Sequence, residues 1–160
     1  RVIKKAVENS RSLGVALTPC TIPATGQPTF EIGDDEMEVG MGLHGEKGVQ
    51  RMKLMSADRT AELIITRIVE DLPFKRGDEI IFLINGYGST TLMEMFIINR
   101  KARAMFKDMG IKVYATEIGN FCTSQEMAGC SLTLMKVDDE LKRYYDAPAD
   151  CPGYVKMGKS

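Results

Sequence analysis

Apolar residues recur at helical spacing in two long stretches of the chain. Over residues 57–72, Ala61, Ile64, Ile65, Ile68, Val69 and Leu72 fall on one stripe, the pattern of a helix with one buried face. Ser56 stands where an N-cap belongs and Pro73 lies just beyond the end. A second helix is predicted over 92–109. Thr91 and Glu94 have the spacing of a capping box there, and Gly110 is a suitable stop. The opening residues, 1–13, also read as a helix, with Val2, Ile3, Ala6 and Val7 on one stripe and Gly14 ending it. That helix has neither a starting Met nor an N-cap residue before it, so the sequence predicts a piece of a longer protein.

Other stretches change period. Residues 37–44 alternate, with Met37, Val39, Met41 and Leu43 on one face and Glu38, Gly40, Gly42 and His44 on the other, as in a half-buried strand. Residues 79–84 form a continuous apolar run after one acid, which suits a strand buried on both faces. Strands are also predicted at 15–17, 111–118 and 131–137. A short helix over 139–145 precedes an irregular tail. Three prolines make 18–28 an ordered but irregular loop. Helices separate some strands and not others, and no internal repeat or linker appears. The prediction is one α/β domain: a two-layer arrangement with a mixed β-sheet and helices packed on it.

Composition narrows the function. The 160 residues carry a formal charge of −1 with acids and bases interspersed, so nothing supplies the basic field that nucleic acid or an anionic membrane attracts. The four cysteines lie far apart without a CxxC pair, which fits neither a zinc site nor a disulfide scaffold. No long uncharged apolar run or signal-like start is present, and a soluble, cytoplasmic protein is expected. Eleven methionines and no tryptophan point to an adaptable core.

Four places carry candidate chemistry. His44 is the one histidine, at the end of the alternating stretch. Parity puts Gly40 and Gly42 on its face, a bare patch that a ligand can approach closely. Glu46 stands two residues on, placed to orient one ring nitrogen and leave the other as a neutral nucleophile or base. A surface histidine in a glycine-rich turn is the alternative. The loop Gly86-Tyr87-Gly88-Ser89-Thr90-Thr91 meets a helix N-terminus, a generic anion cradle. It lacks the residues of a phosphate-binding motif, and a strand-to-helix turn is the preferred reading. Cys122 is a weak thiol candidate, beside Thr123 and Ser124 as turn residues. Asp34, Asp35, Glu36 and Glu38 read as a solvated acidic turn rather than a cation site. Tyr144 and Tyr145 read as core or interface packing.

Several ordered runs resemble the substrate-binding K subunits of dihydroxyacetone (glycerone) kinases. They are residues 14–24 (GVALTPCTIPA), 28–33 (PTFEIG), 36–46 (EMEVGMGLHGE), 83–88 (LINGYG), 119–124 (GNFCTS) and 131–139 (SLTLMKVDD). One departure is Lys47, where many members have proline. The resemblance implies the C-terminal domain of a K subunit over 1–160, with the N-terminal domain missing from this chain. It implies that His44 attacks the carbonyl of dihydroxyacetone and holds it as a covalent hemiaminal, giving selectivity over glycerol, which has no carbonyl. ADP or ATP with magnesium is expected on a nucleotide-binding L subunit or fused domain, with no cofactor or metal on this domain. The donor system is phosphoenolpyruvate-linked (the phosphotransferase system) or ATP-dependent. A homodimer is implied, and the isolated piece is expected to be inactive. A coactivator paralogue that senses dihydroxyacetone without phosphorylating it is the alternative.

Overall fold

The computed structural model describes residues 1–42 and 48–158. In chain order these form α1 (Val2–Glu8), β1 (Ser10–Ala16), the small pair β2 (Thr21–Ile22) and β3 (Gln27–Pro28), β4 (Glu36–Val39) and β5 (Gln50–Lys53). There follow α2 (Ala57–Asp71), β6 (Glu79–Gly86), α3 (Leu92–Met109), β7 (Lys112–Gly119), β8 (Gly129–Val137) and α4 (Asp139–Asp146). A last hairpin is made by β9 (Ala149–Cys151) and β10 (Tyr154–Lys156).

Six strands make a mixed sheet in the order β5-β4-β1-β8-β6-β7. The β6–β7 pair is parallel and the other pairings are antiparallel. The apolar run at 79–84 becomes β6, hydrogen-bonded on both sides. Its side chains divide by parity. Ile80, Phe82 and Ile84 are fully buried in the main core with Ile64 and Ile65 of α2 and Met95 and Phe106 of α3. Ile81 faces the other way, into a smaller cluster with Val137 and Leu141 that Val2 and Ala6 of α1 also join. Phe82 and Phe106 meet edge to face at 5.0 Å.

Both long helices keep the ends that the sequence gives them. Ser56 caps α2 by accepting from the Arg59 amide. Thr91 and Glu94 form a reciprocal capping box on α3, and Gly110 ends it with a left-handed φ of 72°. Thr91→Ala should therefore destabilise the protein by about 1 kcal/mol, measurable by urea unfolding. The Thr91 amide and hydroxyl hold the Glu94 carboxyl below its ordinary range. A lowered carboxyl pKa stabilises at neutral pH and is lost as pH falls through the folded value. The gap between wild type and variant should narrow in acid.

Three expectations need correction. The opening helix ends at Glu8, not Leu13. Asn9 closes it, its amide and side chain both donating to the Lys5 carbonyl. Ser10 to Leu13 instead join β1, paired residue by residue with β8 from Ser10↔Met135 to Ala16↔Gly129. Ile3 and Val7, placed on the buried stripe, are 81% and 66% exposed. Among the described residues of the alternating stretch the strand ends at Val39, because Gly40 turns the chain with φ 79°. Where His44 sits relative to Gly40 and Gly42 lies outside the described residues. The tail is also less irregular than expected, since β9 and β10 pair there.

Candidate functional site

The loops gather where β1 and β6 finish and β8 begins. A second small core closes that end: Ala16, Cys20, Met41, Tyr87 and Met127, with Phe30 against them. Tyr87 is its centre. It is 2% exposed, its amide donates to Gly129 O at 3.1 Å, and its carbonyl accepts from the Ser124 amide at 2.8 Å. The hydroxyl lies against Gly14, where a Cβ would overlap it. Burial pushes this phenol up to about 12, although a hydrogen bond with Ser131 pulls the other way. Tyr87 is thus a packing pillar, not an acid or base at neutral pH.

Asn85, buried at 4% exposure, is the second organiser. Its Oδ1 accepts from the Phe121 and Cys122 amides at 2.9 and 2.8 Å, and its Nδ2 donates to Cys122 O at 2.7 Å. One side chain therefore pins the loop after β7 to the end of β6. Sequence reading missed both roles. An asparagine closing a buried apolar strand, before a glycine, was the available signal.

The chain leading to the histidine is anchored on both sides. The Gly40 amide donates to Gly14 O at 2.7 Å and Met41 is buried in the end core. On the return side the Val49 amide donates to Val39 O at 2.8 Å. His44 and Glu46 themselves lie outside the described residues. The acids before this loop face basic partners on β5: Glu38 bonds Arg51 at 2.9 Å, Glu36 lies 3.7 Å from Arg51, and Asp35 lies 3.8 Å from Lys53. The solvated acidic turn expected from the sequence is corrected here: Glu36 and Glu38 lie on β4, Glu38 is buried, and these acids pair across to β5.

The loop at 86–91 is a turn and not an anion cradle. Tyr87 and Ser89 donate their amides to Gly129 and Met127, and Thr91 donates to Glu94. The Thr90 hydroxyl donates to Gly129 O and accepts from its amide, at 2.7 and 2.8 Å. The Glu94 carboxylate already occupies the helix N-terminus. Gly88, at φ 136°, serves the turn. Cys122 is exposed on the loop that Asn85 holds, and the Ser124 hydroxyl meets the buried Cys20 thiol at 3.3 Å. Tyr144 is half exposed, stacked by Arg143, while Tyr145 packs against the smaller core.

Comparison with known proteins decides what this arrangement belongs to. A family model described as the Dak1 domain matches residues 1–153. The chain is a member of the Dak1 domain family. It is 40% identical over 154 residues to a "PTS-dependent dihydroxyacetone kinase 2, dihydroxyacetone-binding subunit DhaK" of Listeria innocua, covering 96% of this chain and 46% of that protein. It is 37% identical to an "L-erythrulose kinase" of Pectobacterium atrosepticum, covering 99% and 28%. The solved structure of a "Dihydroxyacetone kinase operon co-activator Dha-DhaQ" superposes with a TM-score of 0.85 at 31% identity, covering 92% and 46%. This Dak1 chain thus spans under half the length of each of these relatives. The mixed α/β fold expected from the sequence is the one observed, and that solved structure shares it. No helix among the described residues is long and apolar enough to cross a membrane.

Proposed function

We propose that this chain is the substrate-holding part of a dihydroxyacetone kinase, with His44 as the tethering nucleophile. The observation that carries the reading is the 36–46 run inside the Dak1 match. It is supported by the fixed backbone at Gly40 and Val49, on either side of the segment that bears His44. A neutral ring nitrogen adds to the ketone carbon, the carbonyl π pair moves to oxygen, and that oxygen gains the proton the ring gives up. The product is a hemiaminal, with nothing lost. Glu46 orients the ring. The tether holds a hydroxyl of the substrate ready for transfer, a contribution of the proximity kind.

The phosphoryl donor is assigned to a partner. In keeping with the K-subunit resemblance, ATP or ADP with magnesium sits on a nucleotide-binding L subunit or domain, fed by ATP or by a phosphoenolpyruvate-linked system. An N-terminal domain of the same protein completes the substrate site, the working unit is a homodimer, and the setting is cytoplasmic. The isolated chain is inactive as a kinase.

The test is carbon NMR with dihydroxyacetone labelled at its carbonyl carbon, using the full-length protein. Bound substrate should show a tetrahedral carbon resonance, and His44→Ala should abolish it. A purely ketonic bound signal in wild type overturns the tether. The similarity to a co-activator supports a second reading, a dihydroxyacetone sensor. Turnover with the phosphoryl-donor partner separates the two: a sensor forms the tetrahedral adduct and makes no phosphate ester.

A further inference from the structure

On the sheet face turned away from α2 and α3, the strand registers bring Ser12, Thr133, Leu83 and Glu117 into one row across β1, β8, β6 and β7. Above this row the β9–β10 hairpin and α4 leave a groove of about 530 Å³. Its floor is Ile81, Leu83 and Met135, and aromatic side chains of Phe121, Tyr145 and Tyr154 stand around it. Phe121 and Tyr154 lie 6.1 Å apart, edge to face. The volume falls in the range of small-molecule sites.

The polar content of the groove is unusual in one respect. Glu117 Oε1 accepts hydrogen bonds from the hydroxyls of Tyr145 and of Tyr154, the latter at 2.9 Å. Among the described residues no lysine or arginine pairs with this carboxylate, and its Oε2 accepts no hydrogen bond. Two neutral phenols fix the group in place without cancelling its charge. The negative field is felt by those phenols, since burial and then Glu117 raise the Tyr154 pKa. An anionic ligand is repelled here. A neutral ligand leaves the carboxylate facing an apolar wall without a counter-charge.

We propose that this groove binds a small organic monocation with an apolar body, of the quaternary or tertiary ammonium class. Such a cation matches the carboxylate through Oε2 and lies against ring faces that attract it. A compact primary ammonium fits less well. It must give up a tight hydration shell, and the apolar floor returns few acceptors. Lys156, with Nζ 3.0 Å from the Tyr145 centroid, already takes one face of that ring, so the rings left to the ligand are those of Phe121 and Tyr154. The proposal does not depend on His44.

Butyltrimethylammonium, a neutral tert-butyl alcohol of the same length and hexanoate serve as probes, followed by two-dimensional amide NMR on the protein. The cation should give saturable shifts at Phe121, Gly153 and Tyr154, with the neutral and anionic probes weaker by about tenfold or more. Glu117→Gln keeps an acceptor for both phenols and should weaken the cation about tenfold without altering the neutral probe. Phe121→Ala, which spares the carboxylate, should weaken it too. Equal binding of the neutral probe, an unaffected Glu117→Gln variant, or shifts confined to another surface each overturn the proposal.

Discussion

Phe82→Ala should lower the unfolding free energy by about 3–5 kcal/mol, the largest stability loss expected from a single side chain here. Phe82 is fully buried on β6, and its ring meets Phe106 of α3 edge to face. The cost of such a truncation depends on whether the surroundings collapse into the hole. They are poorly able to do so at this position. The β6 backbone is laddered to β7 on one side and β8 on the other. The helix above is fixed at one end by the capping box and at the other by Gly110. The cavity therefore persists, and the lost contacts add to the transfer term. In urea the midpoint should fall with an unchanged slope. Phe96→Ala is the matched control: Phe96 is 55% exposed, and a change within about 0.5 kcal/mol is expected.

The parts of the fold that local chemistry decides were legible in the sequence. The ends of α2 and α3 follow from Ser56, from Thr91 with Glu94, and from Gly110, each acting within a few residues. The buried character of β6 follows from its unbroken apolar run. What was illegible depends on distant pairing. Ser10 to Leu13 carry no strand signature of their own, and they are extended because β8 pairs with them some 120 positions later. Residues 50–53 and the two strands of the tail hairpin are only three or four residues long, too short for a period to mark them. Gly40 illustrates a different limit. Its alternation with neighbours is compatible with a strand, and only a conformation that glycine reaches readily reveals the turn. The candidate site divides in the same way. The His44 run is legible because its residues are contiguous. The Tyr87 pillar and the Asn85 clamp are not, because each acts on backbone more than 30 residues away.

Asn85→Ala is expected to cost about 2–3 kcal/mol, and the damage should be local. Asn85 supplies two acceptor contacts and one donor contact to the Phe121–Cys122 backbone, which no strand partner replaces. Truncation leaves two amides and a carbonyl without protein partners. Cys122 is exposed and Phe121 is 42% exposed, so water reaches part of the gap and keeps the loss below that of a sealed interior. The strand itself stays in place, since Asn85 still pairs through its backbone with Ser131 and Gly119. Hydrogen exchange should therefore show faster amides at Phe121 and Cys122 with protection at Phe82 and Ile84 retained. Asn85→Asp separates acceptor from donor. Its carboxylate still accepts from both amides but turns a second oxygen toward the Cys122 carbonyl, so the loop should be loosened as pH rises through the carboxyl titration and recover in acid. Unchanged exchange at Phe121 and Cys122 in Asn85→Ala would mean that the loop is held by its other link, the Ser124 amide on Tyr87. Because Phe121 also walls the groove beside Glu117, the same variant should weaken cation binding there while leaving Gly40 and Val49, bonded to Gly14 and Val39, in place.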